Sequence, residues 1–130
     1  MTATLGYATA STAGQTLDNQ LAELTAAGVD PRRVFTDRLS DSADRVRGGL
    51  HAMLSYARPG DTVVVVGLDR LGRSVAEVMR TIADLTDRGI TLRALKEGLD
   101  TGTSTGRVVA NILRGLAQLD LDLEPERQTH

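Results

Sequence analysis

Apolar and polar positions along this chain of 130 residues switch period several times, and the switches mark alternating strands and helices. Thr4–Ala10 reads as a short strand running into a loop of small residues, Ala10-Ser11-Thr12-Ala13-Gly14. Thr16–Ala27 has Leu17, Leu21 and Leu24 on one helical face and Gly28 at its end. Arg33–Thr36 predicts a second strand, Asp37–Arg47 a polar loop, and Gly49–Ala57 a helix stopped by Pro59-Gly60. Thr62–Val66 has no polar break, the pattern of a central parallel strand buried on both faces. Ser74 and Glu77 form a capping box ahead of a stripe of Val75, Val78, Met79, Ile82 and Leu85, which Gly89 terminates. Ile90–Leu95 predicts a further strand and Gly98–Thr105 a Gly/Thr-rich loop.

The last helix runs from about Gly106 to Leu123. Its apolar positions, Val108, Val109, Ile112, Leu113, Leu116 and Leu119, form a face wide enough to dock on the sheet or to pack against another chain. Gly106 and Gly115 each weaken it by about 1 kcal/mol relative to alanine, so packing must hold it, and Pro125 stops or kinks it. Together the elements predict an α/β domain: one open, mostly parallel sheet flanked by helices, with a long C-terminal helix. The expected organisation is a single domain over residues 1–123 and an acidic, polar tail over 124–130, with no helix-turn-helix module.

Composition narrows the chemistry. With no cysteine, thiolate nucleophiles, disulfides and cysteine-ligated zinc are excluded. Only His51 and the terminal His130 offer imidazole, so no metal site is expected. Tyr7, Phe35 and Tyr56 are too few for a base-stacking platform. No apolar run approaches a membrane span and no signal peptide opens the chain, so a cytoplasmic protein without membrane contact is expected. The formal net charge is −2, but residues 32–80 are net basic and Lys96 is the only lysine. Arginine suits bidentate phosphate contacts, and any such site must be local.

Ligands of open α/β sheets sit beyond the carboxyl ends of the strands. Two loops lie there, Ser11–Gln15 and Gly67-Leu68-Asp69-Arg70-Leu71-Gly72-Arg73-Ser74. The first offers hydroxyls, amides and a helix N-terminus suited to an anion. In the second, two arginines three residues apart accompany an aspartate that could orient one of them. It also approximates a P-loop, although Arg73 replaces the lysine and Asp69 would repel phosphate.

The segment Gly6-Tyr7-Ala8-Thr9-Ala10-Ser11-Thr12, followed by Gln15 and Gln20, resembles the opening of the serine recombinases. Leu68-Asp69-Arg70-Leu71-Gly72-Arg73-Ser74 is similar to that family's second signature. Val34-Phe35-Thr36-Asp37, Arg47-Gly48-Gly49-Leu50 and Arg58-Pro59-Gly60-Asp61 fall between them in the resolvase and invertase order. The resemblance spans roughly residues 4 to 120. It implies that Ser11 attacks a DNA phosphodiester to form a phosphoserine bond, with no metal or cofactor. It further implies that Arg47, Arg70 and Arg73 stabilise the charge with Asp69 beside them, Arg45 being the fallback for Arg47. Gln15 and Gln20 are supporting residues on the same resemblance, and DNA and a second recombinase chain are the implied partners.

Two departures bear on activity. Thr9 stands where the family has an arginine two residues before the nucleophile, and Leu121 stands where a second arginine is usual. Strand cleavage is therefore expected to be impaired. Without a separate DNA-binding module, contacts to phosphates alone give weak, non-specific and salt-sensitive binding. The sequence leaves three readings open: a recombinase catalytic domain, a recombinase-like dimerisation or regulatory protein, and a phosphate-binding module. The early Pro125 and the acidic tail lean towards a natural short form rather than an excised domain.

Overall fold

A computed structural model describes residues 2–10, 17–38, 48–72 and 74–128, with side chains as far as 119. Its elements are β1 (Thr4–Ala10), α1 (Leu17–Ala26), β2 (Val34–Arg38), α2 (Gly48–Tyr56), β3 (Thr62–Val65), α3 (Val75–Asp87), β4 (Thr91–Ala94), β5 (Leu99–Asp100) and α4 (Ser104–Gln128). The sheet order is β2-β1-β3-β4-β5. Its first four strands run parallel, and β5 pairs antiparallel with β4 at the edge. The open, mostly parallel sheet expected from the sequence is therefore the fold.

Alternation along the strands divides the core between the two faces. Ala8, Val64 and Val66 point towards α1, where Leu24 and Val29 cover them. Leu5, Tyr7, Val63, Val65 and Leu92 point the other way, beneath Leu50 and Met53 of α2, Ile82 and Leu85 of α3 and the half-buried Leu113 of α4. The run Val63–Val66 has no polar member because both of its faces are covered.

Three boundaries differ from the sequence reading. Asp37 belongs to β2 rather than to a loop, because β1 continues to pair with β2 as far as Ala10 opposite Arg38. The Gly98–Thr105 loop contains the two-residue strand β5, too short to leave a periodic signal. Helix α4 continues past Leu123 and through Pro125 to Gln128. Proline removes one backbone donor and crowds one carbonyl, so it weakens a helix locally without having to end it.

The other end of the sheet is held by Asp61, which is 5% exposed. Its carboxylate accepts hydrogen bonds from the amides of Ala3 (2.8 Å) and Arg58 (2.9 Å), tying the start of β1 to the turn before β3. Burial pushes its pKa up, but these two amides and the charge of Arg58 outweigh burial and hold it below the usual carboxylate value. A depressed folded pKa gives stability that is complete above the unfolded value, about 3.9, and is lost as pH falls through the folded one. Asp61→Asn is thus expected to lower stability at pH 7 and to approach the parent protein below about pH 4. Urea melts across that range check this; a gap independent of pH would refute it.

Candidate active site

Because β1 and β3 run parallel, the two chain segments that follow them leave from the same end of the sheet. Pairing of β1 with β3 ends at Tyr7 opposite Val65, so the backbone of Thr9 extends beyond its neighbour on that side. A side chain completes the pairing. Gln20, fully buried on α1, accepts from the Thr9 amide through Oε1 (3.2 Å) and donates to the Thr9 carbonyl through Nε2 (2.6 Å). This two-point grip does the work of a neighbouring strand and satisfies polar groups that burial would otherwise penalise.

The Thr9 carbonyl has a second donor. Arg70 Nη1 reaches it at 3.1 Å, across 61 positions of sequence. Arg70 lies on a single 3₁₀ turn, Leu68–Leu71, between Gly67 and Gly72. Its side chain is 18% exposed and that of Asp69 is 66% exposed, and their closest approach is 3.6 Å. The Thr9 carbonyl therefore holds Arg70 more firmly than Asp69 does, because a solvated pair at that distance contributes little. Asp69 folds back over Gly67, its Oδ1 lying 2.8 Å from where a Cβ on that glycine would be. Glu97 braces the same turn, accepting from the Leu68 amide at 3.2 Å.

The turn then enters α3. Ser74 caps that helix, its hydroxyl accepting from the Glu77 amide at 3.2 Å, as the capping box predicts. Gly72 permits the entry: a Cβ there would lie 2.6 Å from Glu77 Cβ and 2.8 Å from the Val78 amide nitrogen.

Of the residues proposed from the sequence, Thr9, Gln20, Asp69 and Arg70 are brought together here. Ser11, Gln15, Arg47 with its fallback Arg45, and Arg73 lie outside the described residues, as does the side chain of Leu121. Thr9 is 2% exposed and, among the described residues, its Oγ1 has no hydrogen-bond partner. Among the described residues no group of three or more His, Asp or Glu side chains could hold a metal ion, and no helix is long and apolar enough to cross a membrane.

Sequence reasoning did not single out Tyr7 or Asp37 as site residues. The fully buried Tyr7 donates its hydroxyl to Asp37 Oδ2 at 2.7 Å. The Asp37 carboxylate also accepts from the amides of Gly49 (2.8 Å) and Leu50 (3.0 Å) in the first turn of α2. The available signal was a tyrosine between small residues on a core-facing strand position, where its hydroxyl needs a partner.

Residues 4–130 match the family model described as the resolvase N-terminal domain. The chain belongs to the resolvase family. This resolvase-family domain is 40% identical over 125 residues to the DNA-invertase hin of Salmonella typhimurium, covering 96% of this chain and 64% of that protein. It is 37% identical over 115 residues to the transposon Tn3 resolvase of Escherichia coli, covering 88% of this chain and 62% of the resolvase. The chain thus spans a little under two-thirds of the length of these relatives. Among solved structures it is similar to the N-terminal catalytic domain of TP901-1 integrase, with a TM-score of 0.72 and 28% identity over 93% of this chain and 98% of that one. The fold is accordingly that of a serine recombinase catalytic domain.

Proposed function

We propose that this resolvase-family domain cuts and rejoins DNA through Ser11, in the cytoplasm and at a reduced rate. The observation that supports it best is the bond from Arg70 to the Thr9 carbonyl, which joins the second signature to the strand that ends one residue before Ser11. The serine hydroxyl attacks a phosphodiester, forming a phosphoserine ester and releasing a 3′ hydroxyl that later reverses the step. Arg47, Arg70 and Arg73 stabilise the charge on the transition state, Asp69 accompanies them, and Gln15 and Gln20 support the serine loop. No metal or cofactor takes part. Losing one such donor costs about 3 kcal/mol of barrier, so Thr9 and Leu121 in place of arginines slow cleavage severely.

The second reading is a recombinase-like protein that pairs with itself or with a related recombinase and does little chemistry. The division of α4 favours the pairing. Gly106, Ala110 and Ala117 are buried against the domain, whereas Val108, Ile112, Leu116 and Leu119 are each 45–58% exposed and Val109 is 37% exposed. Beside them, Leu68, Val75, Val78, Met79 and Leu116 line an apolar groove of about 560 Å³. Leu113 packs against the domain's own core and borders this face rather than standing exposed. An apolar face left uncovered in this way suits pairing with a second copy about a two-fold axis. DNA contact from this chain is weak and non-specific under either reading. Nucleotide binding abolished by Arg73→Ala would instead favour a phosphate-binding module.

Trapping on a nicked suicide DNA substrate separates the readings. A slow covalent adduct that Ser11→Ala abolishes supports the recombinase. Thr9→Arg together with Leu121→Arg is expected to raise its yield. No adduct, even after fusion to a working DNA-binding module, leaves the pairing protein, for which sedimentation at high concentration should show a dimer.

A further inference from the structure

Three neighbouring parallel strands, β1, β3 and β4, point their carboxyl ends the same way. The register sets Tyr7, Val65 and Ala94 side by side, all on the face covered by α2 and α3. Strand alternation returns the next residue but one to that face, which brings up Thr9, Gly67 and Lys96. Thr9 accepts from Arg70, and Gly67 opens the turn that carries Asp69 and Arg70.

Lys96 is the only lysine of the chain, and it is exposed. Its backbone is fixed: the Leu95 amide donates to the Val65 carbonyl at 3.0 Å and the Lys96 amide to the Val66 carbonyl at 2.7 Å. Its stem is held as well. Cβ and Cδ lie 3.7 and 3.6 Å from where a Cβ on Gly67 would be, so the methylenes run across the bare backbone of that glycine. Asp69 Oδ1 approaches the same point to 2.8 Å. The adjacent acid, Glu97, is turned onto the Leu68 amide. Among the described residues, no carboxylate lies within 4 Å of the Lys96 ammonium.

We propose that Lys96 is a further phosphate-contacting residue of this end of the sheet, a proposal that rests on the DNA reading above. Its ammonium engages the backbone of a DNA strand laid across the ends of β1 and β3. Lysine suits the task, because a compact charge on a flexible stem follows a phosphate without needing a fixed geometry. The same charge offsets Asp69, which is 66% exposed and would otherwise repel a phosphodiester at this place.

Lys96→Gln is the informative variant, because glutamine keeps most of the stem over Gly67 and removes the charge. Binding of a fluorescent duplex to the full chain is followed as salt is raised. The slope of log affinity against log salt should become shallower by about 1, the signature of one lost phosphate contact. Affinity at 0.1 M salt should fall roughly tenfold. Lys96→Arg should keep the parental slope.

Arg33→Gln is the control. It removes the same charge from an exposed side chain just before β2, at the opposite end of the sheet, and should leave the slope unchanged. An unaltered slope in Lys96→Gln, or an equal change in Arg33→Gln, overturns the proposal. Trapping on nicked suicide DNA keeps this result apart from the fate of the recombinase reading. A Ser11-dependent adduct with an unaltered slope in Lys96→Gln retains the recombinase and removes the lysine from its site. No adduct from the parent, with the slope still made shallower by Lys96→Gln, removes the recombinase and keeps the lysine on DNA.

Discussion

Gln20→Leu should destabilise the domain by about 2–4 kcal/mol although the side chain keeps its size. The substitution leaves the Thr9 amide buried with no acceptor and removes the shorter of the two bonds to the Thr9 carbonyl, which keeps only Arg70. An unsatisfied buried group costs about 1–3 kcal/mol, more than the added apolar surface of one leucine recovers at a position already sealed. The end of β1 should loosen with it, so any adduct through Ser11 should fall further than the lost stability explains. Chemical denaturation measures the first effect and suicide-substrate trapping the second. A variant as stable as the parent would mean that the grip on Thr9 is not what holds the end of the strand.

The second large effect is expected where helix propensity gives the wrong sign. Alanine favours a helix interior over glycine by about 1 kcal/mol. At Gly115 nothing lies within 4 Å of an added Cβ, so Gly115→Ala should stabilise by about that amount. At Gly106 an added Cβ would run into the Asp100 carbonyl and lie 3.0 Å from the Thr101 Cα, both backbone atoms. The first turn of α4 would have to leave β5, a cost of about 3 kcal/mol or more that exceeds the gain in propensity. Gly106→Ala should therefore lower the urea midpoint while Gly115→Ala raises it. Two shifts of the same sign would contradict the docking of α4.

Elements built from ten or so residues with one period were legible in the sequence, and so were sites built from neighbouring positions. The Ser74–Glu77 cap and the valine run of β3 are of this kind. The role of Gln20 was less visible, because Leu17, Leu21 and Leu24 suggested one stripe while the buried line runs through Gln20 and Leu24. Leu21 is only partly buried, and a glutamine three residues after Leu17 lies as close to the core as a leucine four residues after it. Asp37 was hidden for another reason. Its capped amides lie twelve and thirteen positions away, outside the three- or four-residue spacing by which a cap is recognised. The sequence placed Leu113 with the other apolar residues of α4, and only packing could show that Gly106, Ala110, Ala117 and Leu113 turn inward while Val108, Ile112, Leu116 and Leu119 turn outward.

The Thr9 carbonyl also has a consequence for the order of folding. Its bond from Gln20 closes within eleven positions, so β1 and α1 can form it early. Its bond from Arg70 must wait until β3 has come to lie beside β1, bringing together ends 61 positions apart. Contacts of such separation form slowly, because the entropy of closing the loop is lost before any strand pairing compensates for it. The arginine therefore reaches the strand that precedes Ser11 only in a chain whose central sheet is already assembled.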